Sequence, residues 1–516
     1  MVKVTCYYPS SERIPVYTNQ PTTNAALFLH VAVAVVVIRK ECACLPVHRI
    51  SGMAPLMDRI FRNVYPQNDG EKIALFYTPG KKETGEQIAR RKWFRLAGAL
   101  SLVCLLLGCF TLMGRNHKNA SAVLHSAGII DRYPRIDSRL IFVDDFDGDA
   151  IDDTKWTVEE DLGGGGNGEV QFYRNHPDNI GVANGMLYIK PGRLTDLGDV
   201  ETPAGTYPIQ EVMTGDCEPW PGCANFLLAP NQCTNALWGG CNKTGNVPPG
   251  NVIQPATSGR LNSNGKFSFQ YGRIEVRARL PRGNWLWPAI WMLPTVFTYG
   301  NWPTSGEIDL VESRGNNPDY LFGGKPAGRN FAGQTLHFGP AETRTGDGWP
   351  HAHAELRSPP ARGDFTEEFY TYGAYWAEDA MYLYIVDPGG VEHLVLDLTQ
   401  GFANGFWEPP LGFAGRPKWK NVTMANPYAG RPLNAPYDKP FYLIMNVAVG
   451  GELYWDSPWD AACKEELRAA AEEGAGSPPP CSSNRWFYDH EDAWWPSWQA
   501  AGAQNTMEVD WVKVWQ

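Results

Sequence analysis

Glu307, Asp309 and Glu312 fall within one short apolar run, Glu307-Ile308-Asp309-Leu310-Val311-Glu312. Acids are rarely buried without a partner or a function. Side chains alternate along a strand, so Glu307 and Asp309 share a face while Glu312 has the wrong parity. One extra residue at Leu310 or Val311, a β-bulge, returns Glu312 to that face, and bulges recur beside active sites where they re-aim a side chain. Two carboxylates on one groove floor suit glycoside hydrolysis. One attacks as nucleophile and the other gives and recovers a proton, the pair standing about 5–5.5 Å apart when configuration is retained. The proton donor must stay protonated near neutral pH, which neighbouring negative charge favours. These requirements assign Glu307 as nucleophile, Glu312 as acid/base and Asp309 as a helper that tunes Glu307. A solvated acidic strand and a calcium site are the other readings of the same residues.

The elements around the acids read as strands. Ile274, Val276, Ala278 and Leu280 alternate with Arg273, Glu275, Arg277 and Arg279, the pattern of a half-buried antiparallel strand over Gly272–Leu280. Similar runs lie at Met186–Lys190, Trp287–Leu293, Phe369–Trp376, Met381–Val386, Phe441–Val449 and Met507–Trp515. Helical periodicity is scarce, and its best case is Ala461–Glu473. Many short strands between Gly- and Pro-rich turns predict an all-β sandwich beginning near residue 139. The 516 residues include 20 Trp, and Trp285, Trp287, Trp291 and Trp302 crowd the acids. Indole rings stack on the apolar faces of sugars; core packing is their ordinary use. The chain has no phosphate-binding Gly-rich loop with Lys, no Gly-x-Ser-x-Gly elbow and no His-Glu-x-x-His. His351-Ala352-His353 is a weak metal signal.

The formal net charge is −11, and it is unevenly divided: residues 1–120 are basic and the remainder strongly acidic. An acidic body excludes nucleic acid as a partner. Of 11 cysteines, Cys217, Cys223, Cys233, Cys241, Cys463 and Cys481 lie in that body and suit up to three disulfides in an oxidising compartment. Cys463 with Cys481 is the expected pair, and the other four cluster in one loop. Leu96–Met113 is an uncharged run of roughly 18 residues, near the minimum for a membrane span. Arg90, Arg91, Lys92 and Arg95 precede it, a flank that stays in the cytosol and puts the C-terminal body outside. The expected organisation is a cytosolic, disordered region at 1–89, a single transmembrane signal anchor at 90–113, a stem at 114–138 and a body at 139–516. Secretion after signal cleavage is the alternative, and the Val-rich run Ala25–Ile38 leaves open a true start at Met53. Asn119, Asn242 and Asn421 head N-glycosylation patterns.

The acid motif, with Trp287-Pro288-Ala289-Ile290-Trp291-Met292-Leu293-Pro294 before it, resembles glycoside hydrolase family 16, and its bulged form resembles the laminarinase branch. Asn167-Gly168-Glu169, Tyr271-Gly272-Arg273, Thr335-Leu336-His337-Phe338-Gly339, Asn446-Val447-Ala448-Val449-Gly450-Gly451 and the closing Val509-Asp510-Trp511-Val512-Lys513-Val514 follow in family order. The resemblance implies a concanavalin A-like β-jelly-roll sandwich with a concave substrate sheet. It implies endo-hydrolysis of β-1,3-glucan with retention, by a monomer that needs no cofactor. Carried over position by position, Glu307, Asp309 and Glu312 are the catalytic acids. Asn167, Arg260, Trp287, Trp291, Trp302, His337 and Asn446 are substrate contacts, and Asp145 with Asp510 match a structural calcium site. The other readings are a wall-remodelling transglycosylase, a non-catalytic β-glucan-binding receptor and a hydrolase of another polysaccharide, such as mixed-linkage glucan or a galactan. Long insertions at Arg193–Thr257, Pro340–Thr366, Ala403–Lys439 and Asp456–Ala503 exceed a minimal domain.

Overall fold

The computed structural model describes residues 139–217, 222–247, 249–340, 347–357, 363–408, 425–451, 454–456, 458–459 and 482–516. Two large antiparallel sheets pack face to face. The sheet that carries the acids has seven strands. Five of them build the site: β1 (Arg260–Asn262), β2 (Leu286–Pro294), β3 (Glu307–Glu312), β4 (Phe331–His337) and β5 (Phe441–Val449). In space the order runs His353–Arg357, β4, β3, β2, β5, β1, Thr157–Val158. The opposing sheet has eight strands, with Gly272–Arg279 at its centre between Tyr370–Trp376 and Met507–Trp515.

Period-two alternation decides which face each strand buries. Along Gly272–Arg279 the buried positions are Gly272, Ile274, Val276 and Ala278, and the arginines and Glu275 lie on the other side. On β2, Ile290 and Met292 enter the core while Trp287 and Trp291 stay half-buried on the groove face. Ile308 and Val311 of β3 and Val447 of β5 pack into the same core, all with no exposed surface. Each such aliphatic side chain contributes about 1.5–3 kcal/mol, which offsets the cost of the acids the same strand presents to the groove.

The insertion at Arg193–Thr257 has a small core of its own, with Leu194, Ile209, Val212, Met213, Phe226 and Ile253 buried together. Two disulfides staple it, Cys217–Cys223 and Cys233–Cys241. The expected loop at Asp456–Ala503 instead contains helices at Ser483–Asp489 and Glu491–Ala501. Ser482 caps the first by accepting from the Arg485 amide at 3.2 Å. Trp494 and Trp498, four residues apart, bury one face of the second.

Among the described residues no helix is long and apolar enough to cross a membrane. The expected regions 1–89, 90–113 and 114–138, the helix Ala461–Glu473, the Cys463–Cys481 pair and the patterns at Asn119 and Asn421 all lie outside the described residues.

Candidate active site

The bulge falls at Leu310. Against β2, Val311 pairs with Ile290 and Asp309 with Trp291, so Leu310 is the extra residue; against β4, Glu312 pairs with Gly333 and Asp309 with Thr335. Directly opposed residues share a face, and the register therefore lays a row across the sheet. Arg260 faces Asn446, Asn446 faces Ala289 and Ala289 faces Glu312. A second row runs from Trp291 to Asp309, and Glu307 sits opposite His337. Gln334, fully buried, holds the bulge from below by donating from Nε2 to the Leu310 carbonyl at 2.7 Å.

Indole and imidazole groups surround the acids. Trp302 Nε1 donates to Glu307 Oε2 at 3.1 Å, and Trp287 Nε1 donates to Glu312 Oε1 at 2.9 Å. Trp287 also stacks flat on Tyr454, centroids 4.0 Å apart at 2°. This contact needs a glycine at 451: a Cβ there, at φ 107°, would stand 3.1 Å from the Trp287 ring. His337 Nε2 lies 3.2 Å from Asp309 and 3.6 Å from Glu307, while Nδ1 lies 2.6 Å from Asp347 Oδ2. The Asp309 side chain is only 3% exposed, against 13% for Glu307, so Glu307 reaches the groove and Asp309 acts from beneath.

Burial and the charge of Asp309 push the Glu307 and Glu312 carboxyls up, Glu312 to about 7. The His337 imidazolium, then the Trp287 indole and the Arg314 guanidinium, hold Glu312 back from a larger rise. Burial by itself depresses His337, but Asp347 and Glu307 outweigh it and keep the imidazole well above its ordinary range. Glu307, Asp309 and His337 also bring one ligand atom each within 4.8 Å of one another. In this arrangement His337 is engaged by Asp309 and Glu307 on one ring nitrogen and by Asp347 on the other, a network suited to proton chemistry.

Of the expected sugar contacts, Arg260, Trp287, Trp291 and Asn446 lie on strands of this sheet, and Asn167 ends the Gly164–Gly166 turn. Trp291 Nε1 donates to Asn446 Oδ1 at 2.7 Å, and Asn446 Nδ2 donates to Tyr173 Oη at 3.0 Å. Arg260 pairs with Glu159 at 3.0 Å and stands 5.0 Å from the Trp291 ring centroid. Asn167 Nδ2 donates to Glu169 Oε1 at 3.3 Å.

The family model described as glycosyl hydrolases family 16 matches residues 242–401. A β-1,3-glucan-binding protein of Penaeus monodon is 35% identical over 390 residues, covering 73% of this chain and 90% of that protein. The chain belongs to glycosyl hydrolases family 16. A glucan endo-1,3-β-glucosidase of Cryptopygus antarcticus is 31% identical, covering 50% of this chain and 66% of its own length. The solved laminarinase from Rhodothermus marinus is 24% identical, covering 73% of this chain and 97% of that chain, with a TM-score of 0.41.

Two expectations for this family 16 chain meet different structures. Asp145 and Asp510 do not fit a calcium site: Lys513 lies 3.2 Å from Asp145, and Arg277 pairs with Asp510. Each carboxylate is already neutralised by a cation, which a calcium ion would have to displace. The His351-Ala352-His353 pair is likewise put to other use, with His353 Nδ1 2.9 Å from Thr335 Oγ1.

Sequence reasoning missed three residues of the site. Asp347 lies in the insertion after β4 and reaches back to His337. Tyr437 donates from its hydroxyl to the His337 carbonyl at 2.8 Å. Tyr454 carries Trp287 on one side and the Arg314 guanidinium 3.9 Å from its ring centroid. An acid following the Thr-Leu-His-Phe-Gly strand was the one available signal for Asp347.

Proposed function

We propose that this chain is an endo-acting hydrolase of β-1,3-linked glucan that retains anomeric configuration. The observation that carries the reading is the bulge at Leu310, which turns Glu312 onto the face that holds Glu307 and Asp309. The substrate class follows two relatives, one named a β-1,3-glucan-binding protein and the other a glucan endo-1,3-β-glucosidase.

Burial and Asp309 raise the Glu307 carboxyl, and the His337 imidazolium opposes them; in its carboxylate form Glu307 attacks the anomeric carbon of the sugar above it. Glu312 gives its proton to the departing glycosidic oxygen. The glycosidic bond breaks, leaving a glycosyl ester on Glu307 and a shorter chain ending in a hydroxyl. Glu312, now ionised, takes a proton from water, whose oxygen attacks the same carbon and frees Glu307. The Asp309 charge raises both glutamates, which helps Glu312 keep the proton that the leaving group takes. Trp291 and Trp302 supply stacking faces, and Arg260, Asn446 and Asn167 supply polar contacts along the groove.

The test is incubation of the purified chain with laminarin, following reducing ends and product sizes beside a Glu307→Gln variant. The expected result is oligosaccharides from the wild type alone, with binding by both. A receptor without turnover is the second reading, favoured by the name of the Penaeus relative; binding with no products from wild type would establish it. Products longer than the starting oligosaccharides would establish transglycosylation.

The same reading places the body outside the cell, anchored by residues 90–113 or secreted. Two disulfides in the body suit an oxidising compartment, and Asn242 lies exposed on a short strand. Glycosidase-sensitive mass at Asn242 and sedimentation with membranes are the expected outcomes for the anchored form.

A further inference from the structure

Trp238 stands 58% exposed on a turn bracketed by the Cys233–Cys241 disulfide. Its φ is 53°, a conformation that costs a bulky side chain free energy and collects at ligand clamps. A glycine would relieve the strain. The chain has Trp there, and the turn is pinned. Lys243 Nζ donates to the Trp238 carbonyl at 2.7 Å. The Gly240 amide donates to the Leu237 carbonyl at 3.0 Å, and the Leu162 amide to the Gly240 carbonyl at 2.9 Å.

The indole edge rests on Gly163–Gly166, a glycine run that the hydrolytic chemistry leaves unexplained. A Cβ on Gly166 would stand 3.0 Å from the Trp238 ring, and one on Gly163 2.9 Å from the Leu237 carbonyl oxygen. The next residue is Asn167. Its carbonyl oxygen lies 3.6 Å from the point where a Gly451 Cβ would sit, and the Trp287 ring lies 3.1 Å from that point. Trp287 in turn donates to Glu312. Asn167 therefore follows the glycine run that lies against the Trp238 ring and stands near Gly451, beside Trp287, whose indole reaches Glu312.

We propose that Trp238 is a sugar-stacking platform beyond Asn167, binding a glucosyl ring of a β-1,3-glucan chain at a distance from the cleaved bond. This rests on the proposed function, and it adds a length-sensing contact made by the insertion. A pyranose offers an apolar C–H face with a hydroxyl rim, which matches an exposed rigid indole whose ordering cost is already met by the fold. A contact at Trp238 would add to the binding of a long chain and not to that of a trisaccharide held at the acids.

The experiment uses the full chain carrying Glu307→Gln, so that glucan binds without being cut. Titration calorimetry compares this parent with added Trp238→Gly and Trp238→Tyr, using laminarin and laminaritriose as ligands. Glycine tolerates the positive φ, so the turn is retained, and an unchanged thermal midpoint checks it. Trp238→Gly is expected to weaken laminarin binding about three- to tenfold and leave the trisaccharide unaffected, with Trp238→Tyr recovering most of the loss. Equal laminarin affinity in parent and Trp238→Gly would overturn the proposal, as would a proportional loss for both ligands. Self-association lost in Trp238→Gly, with glucan binding intact, would assign the indole to a second copy instead. A parent that binds neither glucan would overturn the functional reading itself.

Discussion

His337 Nδ1 lies 2.6 Å from Asp347 Oδ2, and this contact sets the charge that the opposite ring nitrogen presents to Asp309 and Glu307. Asp347 is a positioning residue, since it reaches the acids only through the imidazole. Removing its charge in Asp347→Asn lowers the His337 pKa, because Asp347 is the foremost group that raises it. The side-chain titration of His337, followed by 15N NMR, is expected to move to lower pH. Turnover of laminarin should fall about ten- to hundredfold through misplacement of the ring, with KM little changed. An unmoved His337 titration would sink this account.

Glu312 ties catalysis to stability. Its folded-state carboxyl is pushed up to about 7 from an ordinary 4.5, chiefly by burial. Between those pH values the native state binds the proton more tightly than the unfolded chain. Stability from this group is therefore present below 4.5 and is lost as pH rises through 7. Glu312→Gln removes the buried charge. Its thermal midpoint should exceed that of wild type by more at pH 8 than at pH 5, while its turnover drops by about 10²–10⁴ from loss of the general acid. A midpoint difference independent of pH would refute the assignment.

Much of this site follows from alternation alone. Parity along Glu307–Glu312 requires one inserted residue, and the register places it at Leu310. Strands at Met381–Val386, Phe441–Val449 and Met507–Trp515 match their expected bounds because turn residues flank them. Contacts that close across the sheet carry no local signature. The opposition of Arg260 to Asn446 depends on a register between strands far apart in sequence. Asp347 sits in a loop, where no period constrains which way a side chain points. The helix at Glu491–Ala501 was hidden by Pro496 and by a Trp density that reads as groove rather than core. Asp145 and Asp510 illustrate the converse: acids at matching positions whose neighbours, Lys513 and Arg277, give them another role.

Trp287→Phe separates stacking from hydrogen bonding. Phenylalanine keeps a ring over Tyr454 but loses the donor to Glu312. That donor stabilises the ionised carboxylate and so lowers the Glu312 pKa. Its loss lets Glu312 hold its proton to higher pH. The alkaline limb of kcat/KM on laminarin should shift upward in Trp287→Phe, and affinity for the glucan should change little. A downward shift would mean that the indole acts on Glu312 through something other than its N–H.

Gln334 gives the bulge a test of its own. Its side-chain amide donates to the Leu310 carbonyl at 2.7 Å and to the Tyr384 carbonyl at 3.2 Å, in a position with no exposed surface. The extra residue in β3 frees a carbonyl from the ladder, and Gln334 is what satisfies it. Gln334→Leu keeps the volume and orphans that carbonyl, at a cost of about 1–3 kcal/mol measurable by urea unfolding. The bulge aims Glu312, so the same variant should lose turnover as well as stability while the neighbouring Glu307 remains in place. Reduced kcat with an unchanged rate of glucan binding is the expected pattern. A variant that loses stability yet keeps wild-type kcat would show that packing of Leu310 and Val311 holds the bulge without Gln334.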